Sequence, residues 1–166
     1  MWINICKFRP YLLTILSFIH NHFAMIEHTL PNPNIAYQDE VLILDQAPYN
    51  GIIKSHFENG NKQAATQYIN GLRHGIHKEW YENGKLATAR LFKEGMQHGE
   101  CKKWWPNGQL KISCYYNDVK MHGLYESWHE NGSVHLRKQY IQGKAWGRQQ
   151  EWSAVGVEIT NLCVSN

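Results

Sequence analysis

A chain of 166 residues with a net charge of +3 has the length of one domain, and that charge is too small to argue for nucleic acid by itself. Aromatic residues make up 13% of it, and six of the seven tryptophans lie between Trp80 and Trp152. Charge is uneven: residues 51–156 hold fifteen Lys/Arg against nine Asp/Glu, whereas residues 10–50 hold four acids and no base.

Residues 1–24 carry Lys7 and Arg9 ahead of an apolar run from Tyr11 to Ile19. That run is too short to cross a bilayer as a helix, which needs about 20 residues. Three readings stay open: a secretory signal peptide, a start of translation at Met25 instead, or a short helix docked on the end of the downstream domain. The first would make the protein secreted or envelope-associated; otherwise the cytoplasm is favoured. Residues 25–40, with Pro31 and Pro33, read as linker. Val41-Leu42-Ile43-Leu44 is β-like and bounded by Asp45 and Pro48, so 41–50 is expected to cap the edge of the next element.

From residue 51 the chain repeats every 24 residues. One glycine column runs Gly51, Gly75, Gly99, Gly123, Gly147, and a second Gly60, Gly84, Gly108, Gly132, Gly156. A third runs Gly71, Gly95, Gly143, with Val119 breaking it; together they hold all 13 glycines. Repeats therefore begin at Gly51, Gly75, Gly99, Gly123 and Gly147, and the repeat domain spans 51–156. Residues 157–166 read as a C-terminal cap or tail, because Glu158 stands where earlier repeats place leucine or valine.

Within a repeat, Ile76 to Tyr81 is a strand, Glu82-Asn83-Gly84 a turn, and Lys85 to Lys93 a second strand. The third repeat selects the turn. Its Pro106-Asn107-Gly108 suits a type I turn followed by a left-handed glycine, which makes a three-residue loop and pairs Trp80 with Leu86. Carried down both strands, that register puts Ile76, Trp80, Trp104, Leu124, Trp128 and Trp152 on one buried face. Leu86, Phe92, Leu110, Ile112, Tyr116, Val134, Leu136, Tyr140 and Tyr68 join them there. His77, Glu79, Lys85, Lys103, Lys111 and Arg137 then take the reverse face, with Tyr81, Trp105 and His129 as an aromatic column in it. The same register opposes Cys101 to Ser113, so Cys101 and Cys114 are expected on opposite faces and unbonded. The fold class expected is all-β: an elongated, twisted antiparallel sheet of tandem β-hairpins with a short N-terminal extension.

Trp80-Tyr81-Glu82-Asn83-Gly84, Trp104-Trp105-Pro106-Asn107-Gly108 and Trp128-His129-Glu130-Asn131-Gly132, with the His-Gly that usually follows (His98-Gly99, His122-Gly123), resemble MORN-variant repeats. Such repeats are found in bacterial proteins similar to the YwqK-type antitoxin family. His56 for tryptophan, Val119 for glycine and Trp146-Gly147 for His-Gly depart from the pattern. The resemblance implies a ladder of hairpins and, by its label, an antitoxin partnered to a toxin. It also implies scaffolding or association with a membrane surface, where anionic lipid would be the partner. It carries no catalytic residue across, because its signature positions (Gly75, Trp80, Gly84, Gly99, Trp104, Gly108, Gly123, Trp128, Gly132) are architectural.

The residues themselves offer little chemistry. His74, His98 and His122 form a column, but adjacent repeats stand roughly 9.5 Å apart, too far for one metal to bridge. No phosphate loop or hydrolase serine motif is present, and the four cysteines lack C-x-x-C spacing. No catalytic, metal or cofactor site is expected, and neither a nucleic acid nor a small-molecule substrate is the expected partner. The expectation is a non-catalytic scaffold that binds a protein through Tyr81, Trp105, His129, Lys103, Lys111 and Arg137.

Overall fold

The computed structural model describes residues 26–165. The three readings of residues 1–24 lie outside them. Fifteen strands form, and no helix is found among the described residues. The first four are β1 (Glu27–Thr29), β2 (Ile35–Gln38), β3 (Val41–Leu44) and β4 (Ala47–Pro48). The repeats supply β5 (Gly51–His56), β6 (Lys62–Ile69), β7 (Leu72–Trp80), β8 (Leu86–Lys93), β9 (Met96–Trp104) and β10 (Leu110–Asn117). They continue through β11 (Lys120–Met121), β12 (Gly123–Trp128), β13 (Val134–Ile141), β14 (Lys144–Trp152) and β15 (Glu158–Val164).

From β5 to β15 each strand pairs antiparallel with its sequence neighbour, β10 pairing with both β11 and β12. The expected all-β ladder of hairpins is the fold. Two kinds of turn alternate. Long loops adopt the three-residue pattern: Gly84 N–H donates to Tyr81 C=O at 2.9 Å and Tyr81 N–H to Lys85 C=O at 2.8 Å, with Gly84 at φ +81°. The same pair of bonds recurs at Phe57, Trp105, His129 and Ser153. Between repeats the chain turns on two left-handed residues, as at Glu94 and Gly95 (φ 50° and 81°), the signature of a type I′ hairpin.

Each loop is stitched to the next. Asn83 Oδ1 accepts the Lys85 N–H at 3.0 Å while its Nδ2 donates to Pro106 C=O at 3.0 Å. Asn59, Asn107 and Asn131 make the same two contacts one repeat apart. The Trp-x-x-Asn-Gly motif is thus read as structure: tryptophan for the sheet, asparagine for the stitch, glycine for the left-handed turn.

The N-terminal segment differs from its expected layout. Residues 25–40 are not plain linker, since they contain β1 and β2. Val41–Leu44 is a strand, but it pairs with β2 and β4 in a separate three-stranded sheet, not with β5. The edge beside β5 is taken instead by β1, in parallel, with Glu27 opposite Ile52. Tyr49, 3% exposed, holds this arrangement by donating its hydroxyl toward the Ile26 and Ile52 carbonyls. The small sheet lies across the first repeat, where Leu42, Tyr49, Ile53 and Tyr68 make the hydrophobic core with Ile35 and Leu44 against it. Gly71 admits this packing, because a Cβ there would run into Val41 and the Leu42 backbone. At the other end, residues 158–164 are more than a tail: β15 pairs with β14 from Gly147–Val164 to Trp152–Glu158 and closes a fifth hairpin.

The facing also needs correction, and the cause is one residue per repeat. Trp80 pairs with Leu86 as the loop predicts, but the next pair is Glu79 with Thr88. Ala87 is therefore an extra residue, a bulge, and it reverses the face of every later residue on β8. The bulge recurs between Leu110 and Ile112, and a register shift accompanies the Trp128–Val134 pair. Phe92 now opposes Gly75, and Tyr68, Tyr116 and Tyr140 oppose Gly51, Gly99 and Gly123. These aromatics, with Ile112 and Leu136, share the inner face, on which the small sheet sits. The tryptophans, Leu86, Leu110 and Val134 belong to the outer one. Ile76 and Leu124, expected in the core, are 49% and 46% exposed there.

Candidate binding surfaces

Neither face is a conventional apolar core, and each has its own chemistry. The inner face sets polar groups between its aromatic and aliphatic side chains. Thr66 Oγ1 lies 2.7 Å from His77 Nδ1, His77 Nε2 lies 3.0 Å from Glu79 Oε1, and Arg90 Nη2 donates to the same oxygen at 2.9 Å. Burial lowers the His77 pKa below 6.5, against the pull of the Glu79 carboxylate. Burial works against ionising Glu79, but the His77 hydrogen bond and the Arg90 charge outweigh it and hold its pKa below 4.5. This chain of bonds satisfies polar groups that the sheet face half-buries.

Beside it, under the small sheet, is an open groove of about 700 Å³ lined by Tyr37, Tyr68, Arg73, His77 and Met96 among others. Tyr37 and Tyr68 share a hydroxyl hydrogen bond of 2.9 Å, and Arg73 stacks 4.5 Å from the Phe92 ring centre. Burial and the Tyr37 hydroxyl push the Tyr68 phenol far above its ordinary value.

The sequence-derived binding residues are divided by the bulge. Tyr81, Trp105 and His129 form one column on the inner face, and Lys111 joins them, its Nζ 3.9 Å from the Trp105 ring centre. Lys103 opposes Ile112 on that face. Arg137 does not belong with them. It lies on the outer face, bonding Glu126 at 2.8 Å and approaching the Trp152 ring at 5.7 Å. The column is also engaged rather than free. Tyr81 donates to Trp104 C=O at 2.7 Å, Trp105 Nε1 to Trp128 C=O at 3.1 Å, and His129 Nε2 lies 2.9 Å from Trp152 C=O. Each side chain ties its loop to the start of the next one, which is an architectural task.

The cysteines are corrected by the same bulge. Cys101 opposes Cys114, not Ser113, so both thiols lie on the inner face, 3% and 7% exposed. Both are free. Among the described residues no three His, Cys, Asp or Glu side chains gather where a metal ion could be held.

Sequence reasoning missed the outer face. Ile76 pairs with Leu91 there, and Tyr115 (41% exposed) and Leu124 lie further along the same sheet side. Beside this apolar strip stand Lys54, Lys78 and Lys102, opposite Ala65, Ala89 and Ser113. Lys54 pairs with Glu27 and Lys102 with Glu100, while Lys78 has no carboxylate partner among the described residues. The signal was available in the alternation Ile76-His77-Lys78-Glu79, had the bulge been placed.

A ladder of stitched antiparallel hairpins, with side chains varied over a constant frame, is a repeat scaffold. Residues 73–94, 97–118 and 121–142 match the family model of the MORN repeat variant, so the ladder carries three such repeats. The hairpins β5–β6 and β14–β15 extend it with the same loop outside the matched segments. No curated protein matches the chain.

Proposed function

We propose that this protein is a non-catalytic scaffold that binds another protein on its outer face. The observation that supports the reading is the exposure of Ile76, Tyr115 and Leu124 in a sheet side that solvent alone would line with polar groups. Lys54, Lys78 and Lys102 alongside give the strip a positive border. The partner that fits is a protein presenting an apolar patch ringed by carboxylates. Tyr81, Trp105, His129, Lys103 and Lys111 would support the scaffold from the other face, and Arg137 would sit within reach of the partner. The narrower reading, an antitoxin bound to its toxin, is supported by the Trp-x-x-Asn-Gly motif alone.

Photo-crosslinking from positions 76 and 124 in the native host tests the surface. Capture of one protein from both positions, lost in Ile76→Glu and Leu124→Glu variants that still fold, is expected. Crosslinks only to lipid, or co-sedimentation with anionic vesicles that these variants do not weaken, would replace the protein partner with a membrane surface. Co-expression with the neighbouring gene tests the narrower reading, since an antitoxin restores growth that its toxin arrests.

A further inference from the structure

The inner-face pair Cys101 and Cys114 stands apart from the proposed partner surface. The cross-strand positions one repeat away hold His77 and Arg90 on one side and Tyr125 and Lys138 on the other. Among the described residues only this position has the bulge and the repeat bring two thiols into direct register. Directly opposed residues on antiparallel strands have Cα atoms roughly 4.5–5.5 Å apart, inside the roughly 4.4–6.8 Å range that a disulfide spans. The Cys114 thiol donates toward Cys101 C=O at 3.7 Å, which keeps it over the Cys101 side of the ladder. Arg90 opposes Cys101 on the adjoining strand, and Lys103 stands two residues further on, on the same face.

We propose that Cys101 and Cys114 form a thiol–disulfide exchange site that closes to a cross-strand disulfide with a low-molecular-weight disulfide of the glutathione type as oxidant. The Cys101 thiolate attacks one sulfur of that disulfide, forming a mixed disulfide and releasing one small thiolate. Cys114 then gives up its proton and attacks the Cys101 sulfur, and the second small thiolate leaves and takes a proton. Two protein thiols are oxidised and one small disulfide is reduced to two thiols. The order of attack is set by the surroundings. The neighbouring Cys114 thiol, then the Lys103 and Arg90 charges, bring Cys101 below the ordinary thiol value against the effect of burial, while Cys114 is pushed well up by its neighbour and by burial. A thiol lowered by basic neighbours and facing a second thiol has the charge surroundings of a redox-active dithiol. At 3% and 7% exposure the pair meets a small oxidant when the two strands open locally.

The experiment uses the full chain with Cys6→Ser and Cys163→Ser, incubated in mixtures of reduced and oxidised glutathione, then acid-quenched, alkylated and weighed. The expected result is joint loss of both alkylatable thiols with no glutathione retained. Adding Cys114→Ser should leave one glutathione on Cys101. In contrast, Cys101→Ser should leave Cys114 unmodified. The rate of oxidation should rise with pH to a midpoint below that of an ordinary thiol. Two thiols that stay alkylatable in fully oxidising mixtures, or glutathione that remains on both, would overturn the proposal. If either serine variant fails to fold, the parent chain's mass and pH profile decide alone.

Discussion

Val119 is the one non-glycine in the second position of a repeat-to-repeat turn, and replacing it with glycine should stabilise the protein. The four equivalent turns are Asn70-Gly71, Glu94-Gly95, Asp118-Val119 and Gln142-Gly143, with second-position φ of 73°, 81°, 70° and 82°. A β-branched residue in that region is a steric outlier, and the left-handed conformation costs an L-residue roughly 1–2 kcal/mol. Val119 recovers little by packing, since 57% of it is exposed. Its N–H donates to Gln97 C=O at 2.9 Å, a bond that glycine keeps, as Gly95 and Gly143 do at 2.8 Å each. Against the relief stands the greater freedom of glycine in the unfolded chain, roughly 0.4–1 kcal/mol.

The balance for Val119→Gly is a gain of about 0–1.6 kcal/mol, centred near 0.8. Urea unfolding followed by tryptophan fluorescence should show it as a higher midpoint with an unchanged slope. The reciprocal change, Gly95→Val, isolates the backbone effect, because a Cβ there meets only the Leu72 side chain at 3.6 Å, an ordinary contact. It should cost about 0–1.6 kcal/mol, the same balance with the sign reversed. An unchanged or lowered midpoint for Val119→Gly, with Gly95→Val neutral, would mean that turn strain contributes nothing measurable here.

Ile76→Lys and Leu124→Lys should each shift stability by no more than about 0.5 kcal/mol, whereas Phe92→Ala should cost roughly 3–5, as thermal unfolding would show. Equal losses at all three would restore the single-core facing. Trp105→Ala should destabilise rather than leave the fold untouched, because it removes the Trp128 carbonyl's donor and the Lys111 stacking partner; Tyr81→Phe should cost roughly 0.5–1.5 kcal/mol for its one bond. Acid should act in two stages. The lowered His77 pKa means the unfolded state binds its proton first, so this contribution is complete above 6.5 and is lost as pH falls below it. Glu79, also lowered, contributes fully above 4.5 and is lost as pH falls further. In His77→Gln the first stage should vanish from a series of unfolding curves between pH 7 and 5.

The strand, loop and repeat boundaries could be read from residue types because local rules decide them. Pro106 and Gly108 admit one loop, and the structure builds that loop five times. Facing could not be read the same way. The extra residue at Ala87 is neither glycine nor proline; in the other repeats the position holds Gln63, Lys111, His135 or Ile159, so no residue type announces it. Its consequence is non-local, since every later side chain on the strand changes sides. The placement of Arg137 and of the cysteines failed for that single reason. Val41–Leu44 failed differently: it was recognised as a strand, but its partner was settled by tertiary packing over Gly71 and Tyr68, which no pattern within 41–50 encodes.

The repeats themselves indicate where function can vary without cost to the fold. Loops, stitches and the aromatic-over-glycine pairs recur and leave nothing to specialise: Asn83, Asn107 and Asn131 do the same work, as do Tyr81, Trp105 and His129 despite different side chains. The mid-strand pairs obey no such rule. On the inner face they run Ile53–Thr66, His77–Arg90, Cys101–Cys114, Tyr125–Lys138 and Gln149–Leu162 in register. An isoleucine–threonine pair lies beneath the small sheet, a charged relay comes next, and two thiols occupy the centre. A sheet needing one shared hydrophobic core could not tolerate that sequence of pairs, since each unpaired polar group would cost roughly 1–3 kcal/mol. This one can, because its stability is distributed over hairpin ladders and loop-to-loop bonds, each repeat leaning mainly on its neighbours. Beyond the core residue Ile53 and the His77 relay, the mid-strand positions are therefore less tied to holding the fold. Substitution at the outer-face strip should change binding, and at Cys101 and Cys114 redox behaviour, before it changes structure.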